Sequence, residues 1–330
     1  MKDKLITEIQ LRMAPLLSLV QLEELRQVLT YSFSGMEITN ARIPSSCVLI
    51  ENEDLLCVFI AAKRVEGCSE KSLKYYDTTI RYMLDTVSTP IREISTDLLR
   101  SYLADYQEKR KSCKATIDNI RRIFSSFFGW LEDEDYILKS PVRRIRKVKT
   151  EKTIKETFSD ESLELLRDAC TEIRDLAMID LLASTGMRVG ELVKLNREDM
   201  SFHERECVVL GKGNTERIAY FDARTKIHLL NYLDSRTDTN PALFVSLSAP
   251  NNRLQIGGIE TRLRKIGKQA DILKVHPHKF RRTLATRAID KGMPIEQVQR
   301  LLGHIRIDTT MNYAMVNQTN VKNSHRKFIG

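Results

Sequence analysis

The sequence has few of the features that mark a secreted, metal-binding or membrane protein. Six cysteines occur among its 330 residues, and no two of them form a C-x-x-C pair, so their spacing favours neither a zinc site nor a redox motif. No uninterrupted apolar run approaches the roughly 20 residues that cross a bilayer. The first residues do not resemble a signal peptide. We therefore expect a cytoplasmic protein with reduced, mostly buried thiols: Cys47, Cys57, Cys68, Cys113, Cys170 and Cys207.

Internal repeats and low-complexity segments are also absent from the sequence. Hydrophobic residues make up 42% of the chain and charged residues 29%, which is the balance of a globular protein. The length exceeds the roughly 100–200 residues of one domain, so two domains are expected. Lysine and arginine total 53 against 44 acidic residues, a net charge of +9. This charge favours a polyanionic partner, although many cytosolic proteins are mildly basic.

Apolar residues at helical spacing predict that the first half of the chain is helical. Residues 5–34 predict one or two amphipathic helices. Between about residues 54 and 138, breaks at Gly67 and Pro90 and at residues 110–114 separate further helical patterns, which predicts a small helical bundle. The clearest of these patterns cover residues 73–84, 98–106 and 117–131.

Residues 139–152 form a basic segment around Pro141 with few apolar residues. This is the composition of an exposed linker between domains. Its charge also suits a segment that lies along a DNA phosphate backbone, because basic side chains that neutralise phosphates release counterions and so strengthen binding. Composition alone supports this DNA-binding segment and a solvated linker equally. The basic residues are Arg143, Arg144, Arg146, Lys147 and Lys149.

From residue 158 onward, helical patterns resume with one strand-like interruption. Three short strands are predicted at residues 200–203, 206–210 and 217–221, the last two joined by the turn Gly211-Lys212-Gly213-Asn214. Helices are then predicted at residues 222–235, 256–269, 278–291, 295–302 and 306–316. The expected fold class is mainly α with a small antiparallel β-sheet, an α+β fold.

Two arginines stand in contexts suited to holding a phosphate. Arg188 follows a Ser-Thr-Gly sequence, where the glycine can end one helix and expose the guanidinium at the entrance of the next. Glu191, three residues on, shares its helical face and can orient it. Arg281 likewise shares a face with His278, and a guanidinium can donate two parallel hydrogen bonds to phosphate oxygens. Alone, each pattern also fits a capped helix with a surface ion pair.

Cutting a phosphodiester with a protein nucleophile requires a hydroxyl, donors around the phosphate oxygens and an acid for the departing oxygen. Tyr313 offers the hydroxyl. Lys212 lies in a glycine-rich turn that can present its ammonium group. His278 can take part in proton transfer, because the unperturbed pKa of a histidine side chain is near neutrality. A lone helical tyrosine usually packs and a turn lysine is usually solvated, so these assignments depend on the accompanying residues.

In order and spacing, residues 185–313 resemble the active-site boxes of the tyrosine recombinase (phage integrase) family, in a simple Xer-like architecture. The matching motifs are Thr185-Gly186-Met187-Arg188-Val189-Gly190-Glu191-Leu192, Gly211-Lys212-Gly213-Asn214, His278-Lys279-Phe280-Arg281-Arg282-Thr283, Leu301-Leu302-Gly303-His304 and Thr309-Thr310-Met311-Asn312-Tyr313. Two departures are Arg282, where relatives commonly carry histidine, and Phe280, where leucine is frequent.

The segment 54–138 resembles the SAM-like core-binding domain of the same family. Phe127, Phe128 and Trp130 are expected in its core rather than on a base-stacking platform. Four parts are then predicted along the chain. The resemblance implies that the core-binding and catalytic domains form a C-shaped clamp around duplex DNA. The four parts are an N-terminal helical extension at 1–50, the core-binding domain at 51–138, a basic linker at 139–155 and the catalytic domain with its tail at 156–330.

The resemblance also implies a reaction. Tyr313 would attack a DNA phosphate to give a 3′-phosphotyrosyl bond, with Lys212 as the general acid and His304 as a hydrogen-bond donor to the phosphate. The complete implied catalytic set is Arg188, Lys212, His278, Arg281, His304 and Tyr313, with Glu191 supporting it. Implied DNA contacts are Arg143, Arg144, Arg146, Lys147 and Arg282. No metal and no cofactor is expected, because the covalent bond conserves the phosphodiester energy.

The implied partners are double-stranded DNA, a homotetramer on two DNA sites, and an excisionase or another DNA-bending accessory protein. Integration and excision of a mobile element is the preferred function. Xer-type resolution of chromosome or plasmid dimers is the alternative. A non-catalytic DNA-binding regulator would be expected to lack a catalytic residue, and none is missing. A type IB topoisomerase would share the chemistry but relax DNA without site preference.

Overall fold

The computed structural model describes residues 2–36, 45–149, 156–211, 216–304, 306–311 and 326. The chain divides into two compact units, Met1–Lys152 and Thr153–Gly330. The division falls inside the segment 139–155 that the sequence predicts as a linker. Within the described part of the chain, no helix has both the length and the apolar character that a membrane crossing needs.

The first unit is helical, as its apolar periodicity predicts. Serine side chains cap three of its helices, because Ser18, Ser69 and Ser95 each accept a hydrogen bond from a backbone N–H of the first turn. The helices are α1 (Lys2–Met13), α2 (Leu19–Ser32), α3 (Ser45–Val65), α4 (Glu70–Val87), α5 (Thr96–Arg110) and α6 (Lys114–Asp133), with short 3-10 helices at Ile91–Glu93 and Pro141–Arg144.

Aromatic residues of α6 fill the core of this unit. Phe127 and Phe128 are fully buried and Trp130 is 8% exposed, which confirms their predicted place in the core. The ring of Phe59 on α3 lies 5.1 Å from that of Phe127 in an edge-to-face arrangement. Such pairs add to the hydrophobic stabilisation of the bundle. The cysteines whose side chains are described, all but Cys47, are free thiols, but the expectation that they are mostly buried is wrong: only Cys207 is buried, and Cys57 and Cys113 are exposed.

The basic segment at residues 139–149 packs along the first unit. Val142 is buried, and Ile145 and Val148 are partly buried against the same core. The backbone N–H of Val148 donates to Asp118 Oδ1 at 3.1 Å. Because the apolar residues recur at every third position, the basic side chains between them face outward. Those exposed are Arg143, Arg144, Arg146, Lys147 and Lys149.

The second unit combines helices with a small antiparallel sheet, so the expected fold class is confirmed. The sheet order is β1-β2-β3, and Cys207 pairs with Ala219 and Val209 with Arg217. Its strands are β1 (Met200–Ser201), β2 (Glu206–Leu210) and β3 (Glu216–Tyr220). The strand predicted at residues 200–203 is shorter than expected because the chain turns at 202–205, where Arg205 has a φ of +56°.

Helix α8 lies at the centre of the second unit. Its apolar residues, including Met178 and Leu182, are fully buried, and α10 and α12 pack against it. The end of this helix carries the Thr-Gly-x-Arg motif, so the core fixes where that motif lies. The helices of this unit are α7 (Asp160–Asp168), α8 (Ile173–Thr185), α9 (Val189–Leu192), α10 (Ala223–Asp234), α11 (Ile256–Gln269), α12 (Pro277–Asp290), α13 (Ile295–Leu302) and α14 (Ile307–Met311).

Candidate active site

Arg188 reaches the candidate site because α8 ends shortly before it. Gly186 ends that helix in the left-handed region at a φ of +58°, and its N–H donates to the carbonyl of Leu182. A Cβ at this position would lie 2.8 Å from Leu284 Cδ2, which would have to shift, and the left-handed backbone itself favours glycine. Arg188 then stands at the N-cap of α9, with its side chain 33% exposed. It is therefore open to a ligand.

The carboxylate of Glu191 joins two arginines in a buried cluster. Its Oε1 accepts from Arg188 Nη1 at 2.8 Å, and its Oε2 accepts from the Arg188 backbone N–H at 2.9 Å and from Arg217 Nη2 at 2.7 Å. Burial alone would raise the pKa of Glu191. The backbone N–H of Arg188 and the charge of Arg217 outweigh burial, so the pKa lies below its usual value. The carboxylate is ionised at neutral pH and holds both guanidinium groups.

Three successive carbonyls at the end of α13 accept hydrogen bonds from three different arginines. Arg217 Nη1 donates to the oxygen of Leu301 at 2.9 Å, Arg281 Nη2 to that of Leu302 at 2.5 Å, and Arg188 Nη2 to that of Gly303 at 3.2 Å. The last carbonyls of a helix have no partner within it and carry its negative end, which suits cationic donors. The box Leu301-Leu302-Gly303-His304 therefore gathers the arginines through its backbone.

Arg281 is the most deeply buried of these arginines. Its side chain lies on α12 and is 1% exposed. Besides the bond to Leu302, its Nη1 donates to the carbonyl of Gly186 at 2.9 Å. Arg281 thus connects the ends of α8 and α13, while Arg188 is the more exposed of the two.

His304 follows the row of carbonyls and is 7% exposed. Its Nδ1 lies 2.8 Å from the hydroxyl of Thr310. Burial, followed by the charges of Arg281 and Arg188, lowers the pKa of His304 to about 4. The imidazole is therefore neutral at pH 7. When Thr310 donates to Nδ1, the ring proton resides on Nε2, which can donate to an oxygen of a ligand.

His278 occupies the first turn of α12, three residues before Arg281, and is exposed. Lys212 and Tyr313 lie outside the described residues. The nearest described neighbours of Lys212 are Gly211 and Glu216, and Met311 at the end of α14 is the nearest before Tyr313.

The predicted DNA contacts belong to both units. Arg143, Arg144, Arg146 and Lys147 are exposed in the first unit. Arg282 belongs to the second unit and is half-buried, and its Nη2 donates to the carbonyl of Glu156 at 3.1 Å. Arg282 therefore contributes at least part of its hydrogen-bonding capacity to its own unit.

Arg217 is the residue of this cluster that the sequence reasoning missed. Its side chain is 12% exposed. A Cβ at Gly303 would lie 2.5 Å from Arg217 Cδ, so the aliphatic part of the arginine rests directly on that glycine. Strand alternation offered a signal, because Arg217 shares the inward face of β3 with buried Ala219. A charged residue at an inward strand position requires a partner.

The described side chains do not form a metal-binding site. No group of three or more histidine, cysteine, aspartate or glutamate residues in that part of the chain is placed to hold an ion. The arrangement offers instead the guanidinium groups of Arg188 and Arg281 and a neutral imidazole, which are donors suited to phosphate oxygens.

Comparison with known proteins identifies the family of both units. The model of the phage integrase family matches residues 152–320, and that of the phage integrase N-terminal SAM-like domain matches residues 55–138. Tyrosine recombinase XerC of Staphylococcus aureus strain JH9 is 30% identical over 230 residues, which cover 67% of this chain and 76% of the relative. The protein of the same name from strain USA300 / TCH1516 is 29% identical over 279 residues, covering 80% and 92%.

Solved structures share the fold at lower identity. The Tn1549 transposon integrase in complex with transposon right end DNA has a TM-score of 0.69 at 19% identity, covering 83% of this chain and 99% of that one. XerH site-specific recombinase bound to a palindromic difH substrate has a TM-score of 0.65 at 18% identity, covering 89% and 92%. The chain therefore belongs to the phage integrase family: it is a tyrosine recombinase, an enzyme of site-specific DNA recombination.

Proposed function

We propose that this recombinase cuts and rejoins DNA through a 3′-phosphotyrosyl bond to Tyr313, in the integration and excision of a mobile element. The observation that carries the proposal is the meeting of Arg188, Arg281 and His304 at the end of α13. Three donors from separate motifs of the sequence converge there on one small volume of the second unit. Such a set suits a phosphate that gains charge during substitution.

In the first step, the phenolic oxygen of Tyr313 attacks the phosphorus and the bond to the 5′-oxygen breaks. Arg188 and His304 Nε2 donate to the non-bridging oxygens. Arg281 supports this set and adds its charge. Because Arg188 is partly exposed and Arg281 is buried, Arg188 makes the more direct contact with DNA.

Two proton transfers accompany this step. The proton of Tyr313 passes to His278, and Lys212 gives a proton to the departing 5′-oxygen. In the reverse reaction, a 5′-hydroxyl attacks the phosphotyrosine and restores a phosphodiester, with the same groups acting in the opposite sense. The reaction needs neither a metal nor a nucleotide, because the covalent intermediate retains the energy of the broken bond.

Duplex DNA in the cytoplasm is the substrate, and each unit contributes residues that contact it. The basic side of the segment 139–149 follows the phosphate backbone, and Val142, Ile145 and Val148 anchor it to the first unit. Exposed arginine and lysine side chains on a fixed backbone suit this role, because they neutralise phosphates without a large cost in chain ordering. Related structures solved with bound DNA support duplex DNA as the partner.

The biological reaction is integration and excision, with dimer resolution as the second candidate. Helices α1 and α2 precede the core-binding domain and exceed what a minimal Xer resolvase needs, which favours a mobile element. The sequence similarity to XerC over 80% of the chain favours resolution. An excisionase or mobilisation gene beside this gene would support the mobile element. Recombination at a chromosomal dimer-resolution site, with no reaction at the flanks of the element, would support resolution.

Strand exchange requires four protomers on two DNA sites, with an excisionase or another DNA-bending protein selecting the direction. The tail at residues 314–330, of which only Arg326 is among the described residues, is proposed to dock on a neighbouring protomer. Deleting residues 318–330 is expected to weaken synapsis of two sites and to spare binding to one site. Native gels with one-site and two-site DNA measure both, and unchanged recombination by the truncated protein would remove the proposal.

Covalent trapping tests the proposed reaction. Purified protein is incubated in EDTA with a supercoiled plasmid that carries the native DNA flanking its gene, and the reaction is quenched with detergent. We expect a detergent-resistant adduct from the wild type and none from Tyr313→Phe. DNA binding without an adduct from the wild type would contradict the proposed reaction and favour a DNA-binding regulator.

A further inference from the structure

We propose that Arg217 is a positioning residue for strand cleavage: it holds Glu191 and the end of α13 in place, and thereby Arg188 and His304, without contacting the DNA phosphate. The proposal rests on the proposed function of the same site. It concerns how the phosphate-binding set is ordered rather than which groups bind the phosphate.

The first reason is the pair of bonds that Arg217 makes. One guanidinium nitrogen donates to Glu191 Oε2 at 2.7 Å and another to the carbonyl of Leu301 at 2.9 Å. Glu191 holds Arg188 by two bonds. A single planar guanidinium therefore fixes both the carboxylate that orients Arg188 and the first carbonyl of the row, a geometry that the point charge of lysine cannot reproduce.

The second reason is the close packing of Arg217 on the turn that leads to His304. Gly303 ends α13 at a φ of +63°, and a Cβ there would lie 2.5 Å from Arg217 Cδ and 2.8 Å from its Nε. The stem of the arginine thus covers the glycine. Displacement of Arg217 would allow this turn to shift, and His304 with it.

The third reason is that the guanidinium of Arg217 is engaged within its own unit: its two terminal nitrogens donate to Leu301 and Glu191, and its Nε is buried against Gly303. Its side chain is 12% exposed, against 33% for Arg188. Its charge nevertheless reaches the site. The charges facing His304 are those of Arg281, Arg188, Arg217 and Glu191, and the first three lower the pKa of that imidazole together with burial.

The cleavage test compares Arg217→Lys with a matched control, Arg236→Lys. Arg236 has a side chain that is 3% exposed and donates to Asp238 and to three backbone carbonyls of the same unit, so its replacement disturbs a comparable network outside the site. We expect Arg217→Lys to slow adduct formation about tenfold to a hundredfold, the range for displaced catalytic groups, with unchanged DNA affinity. Arg236→Lys is expected to cleave at nearly the wild-type rate.

A sulfur-substituted substrate separates positioning from proton donation. With a 5′-bridging phosphorothiolate, the departing thiolate needs no acid, because an ordinary thiol has a pKa of only about 8.5. We expect Arg217→Lys to be equally slow on this substrate. Recovery of the wild-type rate would overturn the proposal, since Arg217 would then act with the leaving-group acid. A loss of DNA affinity that accounts for the slow cleavage would overturn it as well.

A measurement on the free protein keeps this proposal distinct from the proposed reaction. The ring of His304 is titrated by NMR in the wild type, in Arg217→Met and in Arg217→Lys. Removing the charge in Arg217→Met is expected to raise the pKa of His304 from its wild-type value of about 4, and Arg217→Lys should restore part of the difference. Identical titrations would overturn the role of Arg217 even if the wild type forms no adduct.

Discussion

The Nδ1 atom of His304 lies 2.8 Å from the hydroxyl of Thr310, and both residues are buried, at 7% and 0% exposure. This contact fixes the orientation of the imidazole ring. Donation by Thr310 leaves the proton on Nε2, the nitrogen proposed above to donate to an oxygen of the DNA phosphate. A residue of the motif that ends in Tyr313 thus determines which nitrogen of the histidine can donate.

Replacing Thr310 with valine is therefore expected to slow cleavage about tenfold, because valine keeps the shape but leaves Nδ1 without its hydroxyl partner. Thr310→Ser is the control, since it retains the hydroxyl. Single-turnover adduct formation at saturating DNA measures the effect. Equal rates for the valine and serine variants would show that this hydrogen bond does not matter for cleavage.

Stability should fall in mild acid because of His304. Its pKa in the folded protein is about 4, against an ordinary 6.5. Between these values the unfolded chain binds a proton that the folded chain does not, so stability is complete above pH 6.5 and falls towards pH 4. The expected loss is at most about 3 kcal/mol.

Urea unfolding at pH 7, 5.5 and 4.7 measures this loss, with His304→Gln as the control. The control should lose less stability over the same interval. Glu191 acts with the same sign at lower pH, because its lowered pKa gives stability that is lost as pH falls below its ordinary 4.5. Parallel curves for the wild type and the control above pH 4.5 would contradict the prediction.

Gly303→Ala is expected to destabilise the protein more than Gly292→Ala. Both glycines have positive φ, +63° and +89°, but only Gly303 is approached closely, with Arg217 Cδ 2.5 Å from an added Cβ. Left-handed backbone alone costs a residue such as alanine about 1–2 kcal/mol. The additional loss of stability in Gly303→Ala, beyond the loss in Gly292→Ala, measures the cost of the contact between the added Cβ and Arg217. Thermal unfolding provides the comparison, and an equal loss in the two variants would mean that Arg217 moves aside freely.

Neutralising the basic segment is expected to weaken DNA binding and its salt dependence. The variant Arg146→Gln with Lys147→Gln should lower the slope of log affinity against log salt by about 2, since each lost phosphate contact changes it by about 1. The control removes two exposed charges elsewhere in the unit, by Arg12→Gln with Arg26→Gln. If both variants keep the wild-type slope, the segment is a solvated linker.

Much of the fold was accessible from local patterns. The helices at residues 256–269 and 295–302 lie where periodicity predicted them, and β2 at 206–210 is likewise confirmed. Burial of Phe127 and Phe128 also followed from local pattern. The turn at residues 202–205 was not foreseen, because no glycine or proline marks it and Arg205 supplies the positive φ.

The sequence by itself determined the family, the helical and strand elements and the pairing of neighbours on one helix, such as Arg188 with Glu191. These depend on residues close in the chain, where spacing dictates geometry. Tertiary structure alone decided that Arg217, 26 positions after Glu191, shares its carboxylate, and that three arginines meet the carbonyls of Leu301, Leu302 and Gly303. Packing around α8 creates those contacts, because it brings strand β3 and the end of α13 to one buried position where each charged group requires a partner.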